Sequence, residues 1–148
     1  MILPLLVLAA TMVTQPDHSL TPGATNKMLT QRRLCAPAFR AASVRHVSLS
    51  EKRAVCAAYR IAGHCPGPGW EIDHLVPLEL GGSNAIENLW PQPADRSGVI
   101  GYHRKDVVEN KAKAAVCSGR LALDDAQKGI ALDWYTFGIS NGFIQPLH

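Results

Sequence analysis

The sequence between Trp70 and Trp90 places an acidic residue, a histidine and an asparagine at a spacing that suits hydrolysis. Asp73 directly precedes His74, a glycine pair follows, and Asn88 lies fourteen positions after the histidine. A neutral imidazole can accept a proton from water near pH 7, so His74 is a candidate general base. Asp73 points to the opposite side of an extended chain, and its carboxylate suits a hard divalent cation. Together a base and a cation ligand could activate a water molecule for hydrolysis.

The elements that must position these residues follow from hydrophobic spacing and from breaker residues. The stretch "EIDHLVPLEL" predicts a short strand that loosens at its proline, "GGSN" predicts a turn, and "AIENLWPQP" predicts a brief turn or strand. Helices are predicted over about 49–61, over "YHRKDVVENKAKAAVCSG" and over "LDDAQKGIALDWYTFG", and Gly63 and Gly119 are predicted to end the first two. The order strand, turn, strand, helix therefore surrounds the acid–histidine pair.

The composition predicts one globular domain. The chain has 148 residues, of which 47% are hydrophobic and 18% charged. Residues 27–60 carry 8 basic against 1 acidic side chain, residues 61–95 carry 0 against 5, and residues 96–120 carry 6 against 2. An acidic metal site between two phosphate-binding flanks would give this distribution, and so would solvated faces that alternate in sign.

The N-terminal segment predicts export. The apolar run from Ile2 to Val13 is too short to span a bilayer and resembles the core of a secretory signal, although no Lys or Arg precedes Lys27. The alternative is a lipophilic N-terminal strand. We therefore predict a signal peptide over 1–15, a flexible lead-in over 16–33, the folded domain over 34–138 and a C-terminal tail over 139–148. The mature protein is predicted to be periplasmic or secreted, without a transmembrane segment.

Four cysteines agree with an oxidising compartment. None forms a C-x-x-C pair, so the usual spacing of a structural zinc site is absent. The even count predicts two disulfides. Three pairings are possible. We favour Cys56 with Cys65, because they bracket a short link, and this would leave Cys35 to pair with Cys117; the alternative is four buried free thiols.

The motif "DHLVPLELGGSN", followed by "ENLWPQP", "HRKD" and "VCSGRL", resembles a small exported branch of the HNH endonucleases, which are ββα-metal nucleases. The likeness runs from about Cys35 to Trp134. It implies an α+β domain with a ββα-metal core and flanking helices, in which His74 is the general base and Asp73 a metal ligand. It also implies that Asn88 binds the backbone of the His74 loop and orients the imidazole. The implied cofactor is a divalent metal ion, above all Mg²⁺, with Mn²⁺ or Zn²⁺ as alternatives.

The same resemblance implies a second metal ligand, a histidine or asparagine on the helix that follows. His103 matches this position in "HRKD", while Asp106 and Asn110 fall at i+3 and i+7 on the same helix face and compete for the role. Basic side chains in the flanking segments are candidates for phosphate contacts: Arg45, Arg104, Lys105 and Lys111.

The sequence therefore predicts an exported, monomeric, metal-dependent endonuclease that cuts DNA with low sequence specificity. Low specificity is expected because no recognition helix or additional DNA-reading domain is present in the sequence. Two alternatives remain open at this point. One is a disulfide-stapled, non-catalytic nucleic-acid-binding or interaction module on the same scaffold, and the other is a secreted toxin-like effector nuclease.

Overall fold

The computed structural model describes residues 12–61 and 63–147. In these ranges the chain forms a small α+β domain, which confirms the α+β part of the predicted fold class. The helices are α1 (Gln31–Leu34), α2 (Leu49–Ala58), α3 (Tyr102–Cys117) and α4 (Leu123–Ser140), with 3₁₀ turns at Ala41–Val44, Leu78–Leu80 and Ile86–Asn88. The strands are β1 (Met12–Val13), β2 (Trp70–His74), β3 (Leu89–Pro93) and β4 (Val99–Ile100).

Strands β2 and β3 form an antiparallel hairpin that carries the acid–histidine pair. Asp73 lies opposite Trp90, and His74 lies opposite Leu89. The two prolines of β3 are two positions apart, so both of their nitrogens face the same edge of the strand, the edge away from β2. The hydrogen-bond ladder between β2 and β3 therefore loses no N–H donor. A parallel pair of β1 with β4 and then helix α3 follow the hairpin. The predicted order strand, turn, strand, helix is confirmed.

Helices α3 and α4 pack face to face around the larger apolar core. Its buried side chains include Val108, Ala112 and Val116 from α3 and Ala126, Ile130 and Trp134 from α4. A second, smaller cluster joins α2 to the hairpin through Val55, Cys56, Ile72 and Leu89. The hairpin and α3 are thus each held by a separate apolar cluster.

Both predicted disulfides are confirmed. Cys35 bonds to Cys117, and Cys56 bonds to Cys65. The first closes a separation of 82 residues and ties the end of α1 to the end of α3. The second closes a separation of nine residues and ties α2 to the loop before β2. None of the helices in the described ranges is long and apolar enough to cross a membrane.

The segment predicted to be a flexible lead-in is packed against the hairpin. The Thr21 hydroxyl donates to the Leu89 carbonyl at 2.8 Å, and Leu29 is buried. The end of the predicted signal peptide also belongs to the fold, because β1 pairs with β4 and the Trp134 indole donates to the Thr14 carbonyl at 2.8 Å. Thr21 and β1 thereby satisfy backbone groups of β3 and β4, a long-range effect that polar composition does not reveal. The remainder of the predicted signal peptide, residues 1–11, lies outside the described residues.

The observed helix ends agree in part with those predicted from the sequence. Ser48 and Glu51 form the predicted capping box of α2, and Gly119 adopts φ +75° directly after the cap of α3. Helix α2 ends at Ala58, however, and Arg60 rather than Gly63 makes the first left-handed turn, with φ 55°. The predicted C-terminal tail begins inside α4 and continues to two buried side chains, Phe143 and Ile144.

Candidate active site

Asn88 is fully buried and binds the loop that follows His74. Its Oδ1 accepts from the Val76 amide at 2.9 Å and from the Ala24 amide at 3.2 Å. Its Nδ2 donates to the Val76 and Ser83 carbonyls, each at 2.9 Å. One side-chain amide thus pairs with both backbone groups of Val76 and holds the loop at its two ends. This agrees with the loop-binding role that the resemblance implies, but Asn88 does not contact the imidazole.

The glycine pair of the motif makes this arrangement possible. Gly81 ends the 3₁₀ turn Leu78–Leu80 with φ 81°, a left-handed conformation that favours glycine. A Cβ on Gly82 would overlap with the Val76 carbonyl oxygen and would lie 2.9 Å from Asn88 Nδ2. Gly82 therefore leaves the space in which the Asn88 amide reaches Val76.

His74 lies at the end of β2 with 2% of its surface exposed. Its Nε2 lies 3.1 Å from Asn84 Oδ1. The orientation of the Asn84 amide is fixed, because its Nδ2 donates to the Val44 carbonyl at 2.8 Å and its Oδ1 accepts from the His46 amide at 3.2 Å. Oδ1 must therefore accept from His74, so Nε2 carries the proton of the neutral ring and Nδ1 carries the lone pair.

His74 lines a small polar cleft. Nδ1 is buried and has no hydrogen-bond partner among the described residues. The cleft has a volume of about 50 Å³, room for roughly one or two water molecules. It is lined by Ala41, Arg45, Asp73, His74, Pro77, Leu78, Glu79 and Glu109. Burial lowers the pKa of His74, and the Arg45 charge lowers it further, against the opposing effects of the Asn84 hydrogen bond and the Asp73 carboxylate. The imidazole is therefore neutral near pH 7 and able to accept a proton.

Lys105 occupies the position directly beside Asp73. Its side chain is fully buried, and its ammonium donates to Asp73 Oδ2 at 2.6 Å, to the His74 carbonyl at 2.8 Å and to Glu109 Oε1. Burial opposes the charge on Lys105, but the Asp73 and Glu109 carboxylates outweigh it and raise the lysine pKa above its ordinary value. The ammonium is therefore a permanent positive charge at the end of β2.

Further carboxylates surround this ion pair. Burial raises the pKa of Glu71 and of Asp106, and the negative charge of Asp73 raises both further. Glu79 also has a raised pKa because of burial, and its buried Oε1 has no hydrogen-bond partner among the described residues. Burial is the largest cause of all three shifts, and nearby basic side chains oppose each of them.

His103 is placed away from this ion pair. Its side chain is 64% exposed, and Nδ1 lies 3.2 Å from Asp95 Oδ2. Asp95 also accepts from the Gly101 amide at 2.9 Å and from the Arg104 amide at 3.1 Å, so it caps the N-terminus of α3 from the preceding loop. His103 thus contacts the helix cap. No hydrogen bond or ion pair connects it to Asp73 in the described part of the chain.

The metal ligands implied by the resemblance are not assembled in this arrangement. Asp73 Oδ2 is bound by Lys105, and the candidate helix ligand His103 is paired with Asp95. The competing candidates Asp106 and Asn110 are both exposed on α3. Across residues 12–61 and 63–147, no group of three or more His, Cys, Asp or Glu side chains could hold a metal ion. The pair proposed from sequence therefore does not fit a divalent ion as it stands.

The four basic residues predicted to contact phosphate lie in different environments. Arg45 is exposed and lines the cleft beside His74. Arg104 donates to the Gln145 carbonyl at 2.8 Å, and Lys111 donates to the Phe143 carbonyl at 2.6 Å, so both hold the C-terminal segment. The predicted phosphate contact does not fit Lys105, because its side chain has no exposed surface and its ammonium is already bound to carboxylates.

Two residues of the site were not found from the sequence. Asn84 sets the tautomer of His74, and its only signal was the asparagine of the turn "GGSN". Glu109 binds Lys105, and its signal was the i,i+4 spacing of opposite charges on α3. Neither signal distinguishes a buried partner from a solvated one.

A scan against protein-family models finds no match for this chain, and searches of curated proteins and of solved structures find none. The resemblance to the HNH endonucleases therefore rests on the motif residues themselves.

Proposed function

We propose that the chain is an endonuclease that hydrolyses phosphodiester bonds, with His74 as the general base. The observation that carries this proposal is the state of the imidazole. Asn84 fixes the proton on Nε2, burial favours the neutral ring, and Nδ1 has no hydrogen-bond partner among the described residues, while His74 lines a cleft with room for roughly one or two water molecules. Most buried side-chain polar atoms have a hydrogen-bond partner, so a buried ring nitrogen that has none among the described residues supports a role in proton transfer.

In the proposed reaction, a water molecule in the cleft gives its proton to His74 Nδ1 as its oxygen attacks phosphorus. The resulting imidazolium is stabilised because Nε2–H donates to the fixed Asn84 oxygen. The bond from phosphorus to the leaving oxygen breaks, and that oxygen takes a proton from solvent. Asn88 maintains this geometry by holding the loop at Val76, two residues beyond the base.

Arg45 is the side chain that the site offers to the phosphate. It is exposed, it lines the same cleft as His74, and its charge acts on the imidazole. A guanidinium can bind two phosphate oxygens at once and stabilise the charge that develops on them. DNA as the substrate, low sequence specificity and a divalent cofactor are taken over from the resemblance. Export to the periplasm or medium is proposed because two disulfides persist in oxidising compartments.

The test is cleavage of supercoiled plasmid DNA by His74→Ala, assayed with Mg²⁺, Mn²⁺ and Zn²⁺ in turn and with chelator. Loss of a general base should lower the rate by about 10²- to 10⁴-fold, and DNA binding should persist. Added imidazole should restore part of the lost activity, because a small base can enter the space left by the side chain. Circular dichroism checks that the variant is folded.

The matched control is His18→Ala, the same substitution at an exposed position in the N-terminal turn. It should cleave at the wild-type rate. A folded His74→Ala protein that cleaves within about threefold of wild type, a loss far smaller than that expected for a missing base, would exclude the proposed role. A wild-type protein that binds DNA without cutting it in any of these metals would instead favour the binding-module alternative.

A further inference from the structure

A groove with a volume of about 420 Å³ follows strand β3. Its lining includes both residues of β1, three residues of β3 and aromatic side chains from two other elements: Trp90, Pro91, Pro93, Trp70 and Tyr59. Sites for small organic ligands have volumes of about 300–1,000 Å³. This groove therefore has the size of a ligand site, and no step of the proposed reaction uses it. We call it the β3 groove.

The β3 groove combines aromatic side chains with one positive charge. Trp70 and Tyr59 are half-buried, so each keeps part of its surface open to solvent. Among the described residues that line the groove, Arg96 alone is charged, and it is exposed. Aromatic rings stack on bases, and a guanidinium binds phosphate oxygens. This combination is typical of surfaces that bind unpaired bases of a nucleic acid.

Two buried polar atoms at the β3 groove lack hydrogen-bond partners in the described part of the chain. Trp90 lines the groove with 2% of its surface exposed, and its Nε1 has no acceptor. Gln92 is fully buried and donates to Oγ1 of Thr14, another lining residue, at 3.2 Å, but its Oε1 has no donor. Most buried polar atoms are paired. The edge of a base carries both acceptors and donors, whereas a purely apolar ligand carries neither.

The prolines of β3 argue against a peptide strand as the occupant of the groove. A peptide that joins the edge of a sheet forms main-chain hydrogen bonds along that edge. Pro91 and Pro93 supply no N–H donor on the edge of β3 that faces away from β2. Recognition through stacked rings does not need these donors.

The position of the groove fits a strand of nucleic acid that also reaches His74. Trp70 and His74 are the first and last residues of β2, and side chains four positions apart lie on the same face of a strand. They are separated by about 13 Å at 3.3 Å per residue. Four nucleotides of one DNA strand cover about the same length at roughly 3.4 Å each. One bound strand could therefore contact the groove and the candidate base together.

We propose that the β3 groove binds an unpaired base of the nucleic acid, with Trp70 as the stacking surface and Arg96 as the contact to the neighbouring phosphate. The chain then acts on single strands, or on duplex sites with an extruded base, in preference to intact duplex. Stacking accepts every base, which agrees with low sequence specificity. The substrate preference rests on the proposed function, but base binding does not.

The first experiment measures binding of hexathymidylate and of an abasic hexamer by fluorescence anisotropy, with chelator present. Both probes carry the same backbone, so their difference isolates the bases. Wild type should bind hexathymidylate about 5- to 150-fold more tightly, as expected for one stacked base. Trp70→Leu should reduce this ratio below about threefold, whereas Trp70→Phe should retain most of it. Arg96→Ala should weaken the binding of both probes alike.

The matched control is Phe39→Leu, which removes a half-buried aromatic ring outside the groove, where it lies 4.8 Å from the Lys113 ammonium. It should keep the wild-type ratio. Equal binding of the two probes by wild type would overturn the proposal, and so would a folded Trp70→Leu protein that keeps the full ratio. A dimer in sedimentation that Trp70→Leu dissociates would assign the groove to a second copy of the chain and would also overturn it.

The second experiment uses the wild type alone and decides the question if Trp70→Leu does not fold. Hexathymidylate in which one thymine is replaced by 5-iodouracil is photocrosslinked to the protein, and the adduct is located by peptide mapping. The adduct should lie on Trp70 or Tyr59. Adducts only outside the groove, or none, would overturn the proposal. None of these readouts requires cleavage, so a failed nuclease assay and a failed base site remain distinguishable.

Discussion

Replacing Asn88 with aspartate exchanges one amide nitrogen for an oxygen at the centre of the candidate site. The shape of the side chain is kept, and the bonds that Oδ1 accepts from Val76 and Ala24 can persist. The two donated bonds, to the carbonyls of Val76 and Ser83, are lost. The new oxygen then faces two carbonyl oxygens across the former bond lengths of 2.9 Å.

The expected magnitude follows from the number of groups left without a partner. A buried acceptor that loses its donor costs about 1–3 kcal/mol, so two of them lower the free energy of unfolding by about 2–6 kcal/mol. Asn88 has no exposed surface, so water cannot replace the lost donors without opening the loop. Opening the loop would also move His74, so cleavage activity should fall together with stability.

The measurement is urea denaturation of the wild type, Asn88→Asp and the control Asn110→Asp. Asn110 is exposed on α3, so the same chemical change there should alter the free energy of unfolding by no more than about 0.5 kcal/mol. A loss below about 1 kcal/mol in Asn88→Asp would show that the buried amide does not hold the loop as described. Equal losses in the two variants would lead to the same conclusion.

Two further predictions concern the disulfides and the base. Replacing Cys35 and Cys117 with serine should lower the free energy of unfolding by about 4.5 kcal/mol, and replacing Cys56 and Cys65 should lower it by about 2.5 kcal/mol. The two losses differ because the first disulfide closes the longer loop. Chemical denaturation measures both losses, and equal losses would contradict this reasoning. The cleavage rate should fall as the pH drops through the pKa of His74, which burial holds below its ordinary value of 6.5. A cleavage rate that instead rises toward acid pH would exclude the neutral imidazole as the base.

Features that depend on near neighbours were predictable from the sequence. The capping box of Ser48 and Glu51 begins α2 as expected, because both bonds join residues three positions apart. The turn at the glycine pair and the pairing of Cys56 with Cys65 follow from short spacings in the same way. The proximity of acid, base and asparagine was also predictable, because one hairpin carries all three.

Contacts between distant parts of the chain were not predictable. The chain from residue 12 to residue 33 reads as a leader and a polar linker, yet it supplies the hydrogen-bond partners of β3 and β4. Lys105 reads as a surface cation beside a helix acid, yet its ammonium is buried at Asp73, 32 positions earlier in the chain. The spacing of charged residues in the sequence does not predict that Lys105 is buried, because the same spacing also suits side chains whose charges stay in water.

The residue types of the site were therefore determined by the sequence, whereas their partners were decided by tertiary packing. Helix α3 buries Val108 and Ala112 against α4, and this fixes the rotation of the helix. At about 100° per residue, Lys105 then lies on the buried side with Glu109, while His103 is rotated by about 200° from Lys105 toward solvent and Asp95. The apolar residues on one face of α3 thus determine that Lys105, and not His103, pairs with Asp73. These apolar residues take no part in the ion pair themselves.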